Sequence, residues 1–475
     1  MKQQRFRFKL LALLMFALFA LLAAFGVYSV GVNGNRWFTS AHNSRIQAQK
    51  ANVTAGSIYD RNGVLLASTV DGKRVYQADE AARRAVVHVL GNADGNVYKG
   101  VESFQAVHLY GFNATFTEVL SALLSGQPRR GDDVTLTLDS RLCTAITQFY
   151  AANSATRNKK GAAVVMNYKT GEVIAIVSLP SFDPMVSGNR GTDLTTNRAT
   201  RTLYPPGSTF KIITTAAALQ YIPGVAATEI TCTGGLLVDG QAIRDFGNTV
   251  HTRLTLRQAF VKSCNNIYAL LALDMGDAAL RKTAEAFGFN DNFLFRDLVV
   301  ENSSYPTGSR SQFEIAMSGF GQSAIGVTPL HMCLIAAAVA NDGVMMEPVL
   351  LQQVTSPGGT VRQQLQSRVY REVLTPEIIG MLQDYMRAVV TGGTGTRAAV
   401  SGMTICGKTG SAETSLNGRY VTHGWFVGYN ADDAYPYALA VVVEDIGDGA
   451  GGGSTAAPIA GDIFRYLKEQ TPYAN

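Results

Sequence analysis

Charge is scarce in this chain. Asp, Glu, Lys and Arg make up 16% of its 475 residues, against about a quarter in an average globular protein. That excludes a disordered, coiled-coil or highly charged chain. Net charge is equally thin, +5 overall, and Lys2, Arg5, Arg7 and Lys9 supply four of those charges. The remainder is close to neutral, so nucleic-acid binding is not indicated. Cysteine is sparse and odd in number, with only Cys143, Cys232, Cys264, Cys333 and Cys406. No Cys-x-x-Cys pair or Cys/His cluster suggests zinc. The expectation is therefore no metal, no disulfide, and thiols that act mostly as small core residues. There is no internal repeat and no low-complexity tail, and the 47 glycines follow no collagen-like period. What is present is a normal apolar share, 47%, in a chain long enough for two or more folding units.

One apolar run is long enough to cross a bilayer. Leu10 to Val32 is uncharged and as a helix would span roughly 34 Å, against about 30 Å of hydrocarbon. The basic flank places residues 1–9 in the cytoplasm and everything after about residue 36 outside it. A cleaved signal peptide is the rival reading. Its apolar region should be shorter and end in a small-x-small site, for which Ala24-Phe25-Gly26 is only marginal. The expectation is a single-pass anchor over 10–32 in the cytoplasmic membrane.

Beyond it, Ser57-Ile58-Tyr59, the turn Asp60-Arg61-Asn62-Gly63 and Val64-Leu65-Leu66 predict a hairpin, because Asn-Gly between apolar runs favours one. A mixed helical stretch follows to a polar break at 127–133, where a boundary is placed. It divides a membrane-proximal domain, 36–133, from a larger domain, 134–475. In the latter, strands are expected near 134–138, 162–167, 173–178, 403–415, 420–429 and 435–445. Helices are expected at 139–153, from Gly207 to about 220, within 255–290, 311–341 and 376–391, and from about 458. The pattern predicts an α+β fold: an antiparallel sheet flanked by helices, with an all-α lobe inserted between its strands.

Chemistry concentrates in three short motifs. Ser208-Thr209-Phe210-Lys211 is the only S-x-x-K of the sequence. On a helix it sets a hydroxyl and an amine on one face. Serine needs a base within hydrogen-bond reach, and a lysine becomes one when burial or a nearby cation lowers its pKa. Ser263-Cys264-Asn265 is an S-x-N, and Lys408-Thr409-Gly410 a K-T-G. Each has an upstream copy, Ser187-Gly188-Asn189 and Lys169-Thr170-Gly171, read as a loop and a hairpin turn. Order selects the downstream copies. The second K-T-G lies in a strand of small residues, whose edge a substrate backbone can join.

The triple set resembles the signature of penicillin-binding proteins and serine β-lactamases. Tyr204–Lys211 (YPPGSTFK), Gly407–Glu413 (GKTGSAE), Gly56–Ala67 (GSIYDRNGVLLA), Ser181–Pro184, Gly319–Gln322 and Thr391–Gly395 are similar to segments of class B penicillin-binding proteins. The resemblance implies a monofunctional peptidoglycan D,D-transpeptidase that needs no cofactor. Ser208 would attack the carbonyl between the terminal D-alanines of a stem peptide, and Lys211 would take its proton. Ser263 would relay a proton to the leaving amine, and Asn265 would orient Lys211 and bind the substrate amide. Lys408 would keep Lys211 deprotonated and attract the substrate carboxylate, which Thr409 would bind. Gly410, Ser411 and Glu413 would complete the substrate strand, with the N–H groups of Ser208 and Ser411 as oxyanion hole. D-Ala leaves, and an amine of a neighbouring stem peptide resolves the acyl-enzyme. β-Lactams would acylate the same serine. Nothing resembles a glycosyltransferase domain, so a SEDS-type membrane glycosyltransferase is the implied partner. Two departures stand out: position 264 is Cys, and Ser411 stands where the family often has Thr.

Rival functions share the fold. A class A β-lactamase should carry an E-x-x-L-N loop, which this sequence lacks. A β-lactam sensor usually has several spans and a cytoplasmic domain. A D,D-carboxypeptidase, with water as acceptor, is not separated from a transpeptidase by the motifs.

Overall fold

A computed structural model of the protein describes residues 2–38, 53–92, 97, 100–126, 128–188, 191–416, 418–447 and 449–470. Residues 39–52 of the expected membrane-proximal segment, and Asn189, lie outside the described residues. The N-terminal helix runs Lys2–Phe38, longer than the expected span at both ends; on the N-terminal side the basic flank continues as good helix formers. Its apolar stretch, Phe6–Ser29, is not buried against protein.

The main sheet has five strands, all antiparallel, in the spatial order Ile405–Leu416, Arg419–Asn430, Tyr437–Val443, Gly161–Asn167, Val173–Leu179. Tyr437–Val443 is buried at every position. Such a strand reads as a continuous apolar run because both of its faces are covered. The helix Pro329–Ala340, apolar except for the buried His331, packs on three of the strands. The helices Ser140–Ala152 and Ala456–Glu469 pack on the sheet and on each other. Asp139 caps the first of these through the N–H groups of Arg141 and Leu142. The lobe is built on Lys211–Tyr221 packed against Asn265–Ala286. This is the expected α+β sandwich with its inserted helices.

A second sheet joins distant parts of the chain. Its order is Val361–Gln364, Leu351–Thr355, Asp133–Leu136, Ile58–Tyr59, Leu65–Val70, Lys73–Tyr76. The hairpin near residue 60 forms as expected. The strand Asp133–Leu136 then pairs with Ile58–Tyr59 on one side and with Leu351–Thr355 on the other. Segments on both sides of residue 133 therefore share one sheet. A lone hairpin is marginal in water and needs such partners. The turn is tied in as well: the buried Asp60 accepts from the Ser140 hydroxyl at 2.8 Å and from Val64 N–H at 2.9 Å. Several further strands had no counterpart in the sequence reading, among them the pair of two-stranded ribbons within 229–255 and the strands between 344 and 372.

Candidate active site

The nucleophile turn differs from expectation in one respect. Gly207–Phe210 is a 3-10 turn, and the α-helix begins at Lys211. Gly207 has φ +53°, a conformation that suits glycine, and a Cβ there would meet Ser411 O at 2.6 Å. The turn can therefore lie directly against the strand Ile405–Leu416. Ser208 is partly exposed, whereas Thr209 and Phe210 beside it are buried. The same close approach fixes the direction of the Ser411 carbonyl, toward the nucleophile turn. On an extended strand the N–H of a residue points to the same side as its C=O, which turns Ser411 N–H toward the same turn.

Lys211 is fully buried. Its Nζ donates to Ser263 O at 2.7 Å and Asn265 Oδ1 at 2.9 Å, with Ser263 Oγ at 3.2 Å. Lys408 is also fully buried, and its Nζ lies 3.0 Å from both Ser263 Oγ and Thr409 O. Burial pulls the Lys211 amine down to about 7, with Cys264 and Asp245 opposing. Burial and then Lys211 lower Lys408 well below its ordinary value. One serine hydroxyl thus sits between two desolvated amines. Ser263 itself has φ +58° at the end of Leu256–Lys262, which turns the chain back so that Asn265 can open the next helix.

The structure brings Lys211, Ser263, Asn265, Lys408 and Thr409 into one hydrogen-bonded group, with Ser208, Gly410 and Ser411 alongside. Glu413 is exposed, further along the same edge strand. There the Gln322 amide, with its oxygen toward Glu413 N and its nitrogen toward Glu413 O, makes both contacts at 3.1 Å. A cavity of about 280 Å³ opens beside it, lined in part by Tyr204, Ser304, Gln322 and Glu413; it flanks Ser208 rather than covering it. Lys169 and Gly171 of the upstream K-T-G lie in the turn between two sheet strands.

Sequence reasoning missed Thr394 as a site residue, although it named the segment. Thr394 Oγ1 lies 2.5 Å from Thr409 Oγ1. It also missed a cluster behind Asn265. Cys264 is buried, as expected, but it meets Cys232, Asp245 and His251 there, with their ligand atoms within 4.8 Å of one another. All five cysteines are buried free thiols.

A buried lysine beside a serine on a tight turn, facing an edge strand across a helical lobe, defines a serine acyl-transfer enzyme of the penicillin-binding and β-lactamase class. The narrower assignment comes from comparison. Residues 161–465 match the family described as "Penicillin binding protein transpeptidase domain". The chain is 31% identical over 441 residues to peptidoglycan D,D-transpeptidase PbpA of Mycolicibacterium smegmatis, covering 86% of this chain and 87% of that protein. It is 28% identical to peptidoglycan D,D-transpeptidase FtsI of Escherichia coli, covering 83% and 66%. The ceftriaxone acyl-enzyme complex of penicillin-binding protein A from M. tuberculosis superposes with a TM-score of 0.80 at 28% identity, covering 88% of this chain and 99% of that one. The chain belongs to the penicillin-binding protein transpeptidase family.

Proposed function

We infer that this chain is a peptidoglycan D,D-transpeptidase, a serine acyltransferase that β-lactams inhibit covalently, and that Ser208 is its nucleophile. The observation that carries the residue roles is the environment of Lys211. A neutral amine has two N–H donors and one lone pair. Ser263 O and Asn265 Oδ1 take the donors, which leaves the lone pair for a hydroxyl proton. Lys211, near 7, is then a base matched to neutral pH.

In the proposed sequence Ser208 Oγ attacks the carbonyl between the two D-alanines and passes its proton to Lys211. The oxyanion is held by the N–H groups of Ser208 and Ser411. Such a donor typically contributes about 3 kcal/mol. The proton moves through Ser263 Oγ to the leaving D-Ala amine. The substrate carboxylate lies against Thr409 and Ser411, with Lys408 behind them. Its arrival favours the charged form of Lys408, which in turn favours neutral Lys211. Asn265 holds the substrate amide, and the strand from Gly410 pairs with its backbone as far as Glu413, whose own N–H and C=O face Gln322. An amine of a second stem peptide then takes the acyl group.

The remaining assignments are part of the same proposal. The helix around Phe6–Ser29, preceded by basic residues, is a single-pass anchor with its N-terminus in the cytoplasm, and the catalytic domain lies outside. The segment up to residue 133 is the membrane-proximal domain and 134–475 the transpeptidase domain. A SEDS-type glycosyltransferase docks on the anchor and the former. Support for docking there comes from Phe116, Leu123 and Leu124, which are exposed on the helix Phe116–Ser125.

The test is labelling of the full-length protein in detergent with a fluorescent penicillin, beside Ser208→Ala. A slowly decaying adduct that Ser208→Ala lacks is expected. An adduct that clears within seconds would move the reading to a β-lactamase, and equal labelling of Ser208→Ala would remove Ser208 from its role.

A further inference from the structure

We propose that Cys232, Asp245, His251 and Cys264 bind one zinc ion, and that this ion holds the Ser263–Asn265 corner in its catalytic geometry. The four side chains come from separate elements. Cys232 ends the strand Glu229–Cys232, Asp245 follows Gln241–Arg244, His251 precedes Thr252–Thr255, and Cys264 joins two helices. Their spacing spreads them over 33 residues, which hides the set from any short-motif reading.

Four of the six ligand–ligand distances lie close to the edges of a tetrahedron, and all six are within 4.8 Å. Asp245 Oδ2 lies 3.2 Å from Cys232 Sγ, from Cys264 Sγ and from His251 Nδ1. Cys232 Sγ lies 3.7 Å from His251 Nδ1. Zinc with bonds of about 2.0–2.3 Å to oxygen, nitrogen and sulfur requires ligand–ligand edges of about 3.3–3.8 Å. Two thiols, an imidazole and a carboxylate are a donor set that zinc favours over the hard cations. With four protein ligands the site is closed, which suits a structural ion rather than one that activates water. On binding, each thiol gives up its proton to solvent.

The ribbons supply a reason for such a clamp. Among the described residues, Glu229–Cys232 pairs only with Thr252–Thr255, and Gly235–Val238 only with Gln241–Arg244. Leu237, Phe246 and Val250 among them are exposed, and only a few apolar side chains such as Val238, Ile243 and Leu254 reach the core. Two-stranded ribbons are marginal by themselves. An ion joining them to Cys264 fixes them to the lobe.

The same ion would reach the chemistry through two short paths. Cys264 is the central residue of the S-x-N. Asp245 turns its other oxygen, Oδ1, to the N–H groups of Asn265 and Asn266. Asn265 then presents Oδ1 to Lys211 Nζ at 2.9 Å. Outer partners of this kind typically change function by about 10- to 100-fold when lost. The four ligands are thus positioning residues for Asn265 and Lys211.

The experiment uses the full-length chain in detergent, purified reduced and without a histidine tag, and measures its metal content by mass spectrometry. About one zinc per chain is expected, with little in His251→Ala or Cys232→Ser. Removing zinc with a chelator should lower Tm and slow fluorescent-penicillin acylation about 10- to 100-fold, and returning zinc should restore both. Replacement by Co²⁺ should give the visible spectrum of a tetrahedral thiolate site, altered in Cys232→Ser. If either variant fails to fold, wild-type zinc content and the Co²⁺ spectrum decide alone. Wild-type protein that carries no zinc and takes up none when Zn²⁺ is added overturns the proposal, as does a Cys232–Cys264 disulfide in the protein as isolated. Zinc content is read without acylation, so this inference and the transpeptidase reading fail separately.

Discussion

The two walls of the proposed catalytic cleft are held by different forces. The strand Ile405–Leu416 belongs to a sheet whose inner strands Tyr437–Val443 and Gly161–Asn167 are almost wholly buried and apolar. The facing corner, Ser263–Asn265, has Ser263 in a left-handed conformation, and polar contacts to Lys211, Lys408 and Asp245 hold it. The first wall is rigid because burial of apolar area is spread over many residues. The second depends on a few hydrogen bonds, each worth about 1 kcal/mol net but costly to leave half-made. The pairing suits the reaction. In the proposed mechanism the strand accepts a substrate backbone without moving, while the corner carries a proton through groups whose ionisation changes.

The largest effects should come from breaking the centre between the walls. Ser208→Ala should abolish penicillin acylation and leave Tm nearly unchanged, since Ser208 is partly exposed and its loss opens no core cavity. Lys211→Met should cut acylation by about 10³-fold or more and also lower Tm, because Ser263 O and Asn265 Oδ1 lose their donor. Equal Tm values for the two variants would show that the corner does not rely on Lys211.

The pH dependence comes next in size. Lys211 falls from an ordinary 10.5 to about 7 through burial. Protonated Lys211 cannot accept the Ser208 proton. The acylation rate should therefore rise about tenfold per pH unit below 7 and level off above it. The stability sign follows from the same shift. The unfolded chain binds a proton here below 10.5 and the folded one only below about 7, so this burial costs stability increasingly as pH falls between those values, and no more below 7. A rate profile flat from pH 5 to 8 would remove Lys211 as the base.

A smaller effect tests the other wall. A Cβ on Gly410 would meet Thr209 Cγ2 at 2.9 Å and Trp425 Cβ at 3.2 Å. Gly410→Ala should separate the nucleophile turn from the strand, with a cost of about 1–3 kcal/mol. Stability and acylation should fall together, whereas Ser208→Ala separates them. Gly410→Ala with unchanged Tm would mean that this wall yields more easily than its burial implies.

The same contrast explains what could be read in the sequence. The sheet strands were legible because runs such as Tyr437–Val443 are continuously apolar and flanked by turn residues. Ser208, Lys211, Ser263, Asn265 and Lys408 were legible only as three motifs in order; their convergence needed the fold. The ribbons at 229–255 were not legible, because short strands such as Gln241–Arg244, largely exposed, carry no clear alternation. The place of Leu351–Thr355 beside Asp133–Leu136 was hidden for another reason: its partner is more than 200 residues away, and no local pattern encodes such a pairing. The Cys232, Asp245, His251 and Cys264 cluster combines both difficulties.

Thr394 gives the smallest and most diagnostic effect. Its hydroxyl lies 2.5 Å from that of Thr409, and Thr409 is the proposed ligand of the substrate carboxylate. One of the two hydroxyls donates to the other, so Thr394 decides whether the Thr409 proton is free for substrate. Thr394→Val keeps the shape and removes the contact, for about 1 kcal/mol, or roughly a fivefold change. Because the contact acts on binding rather than on Lys211, the loss should appear in the concentration dependence of acylation. The limiting rate and its pH profile should stay as in the wild type. Thr394→Ser, which retains the hydroxyl, should restore binding. A change in the pH profile of Thr394→Val would instead show that the strand wall and the lysine corner are one coupled unit, and that the division between them is too sharp.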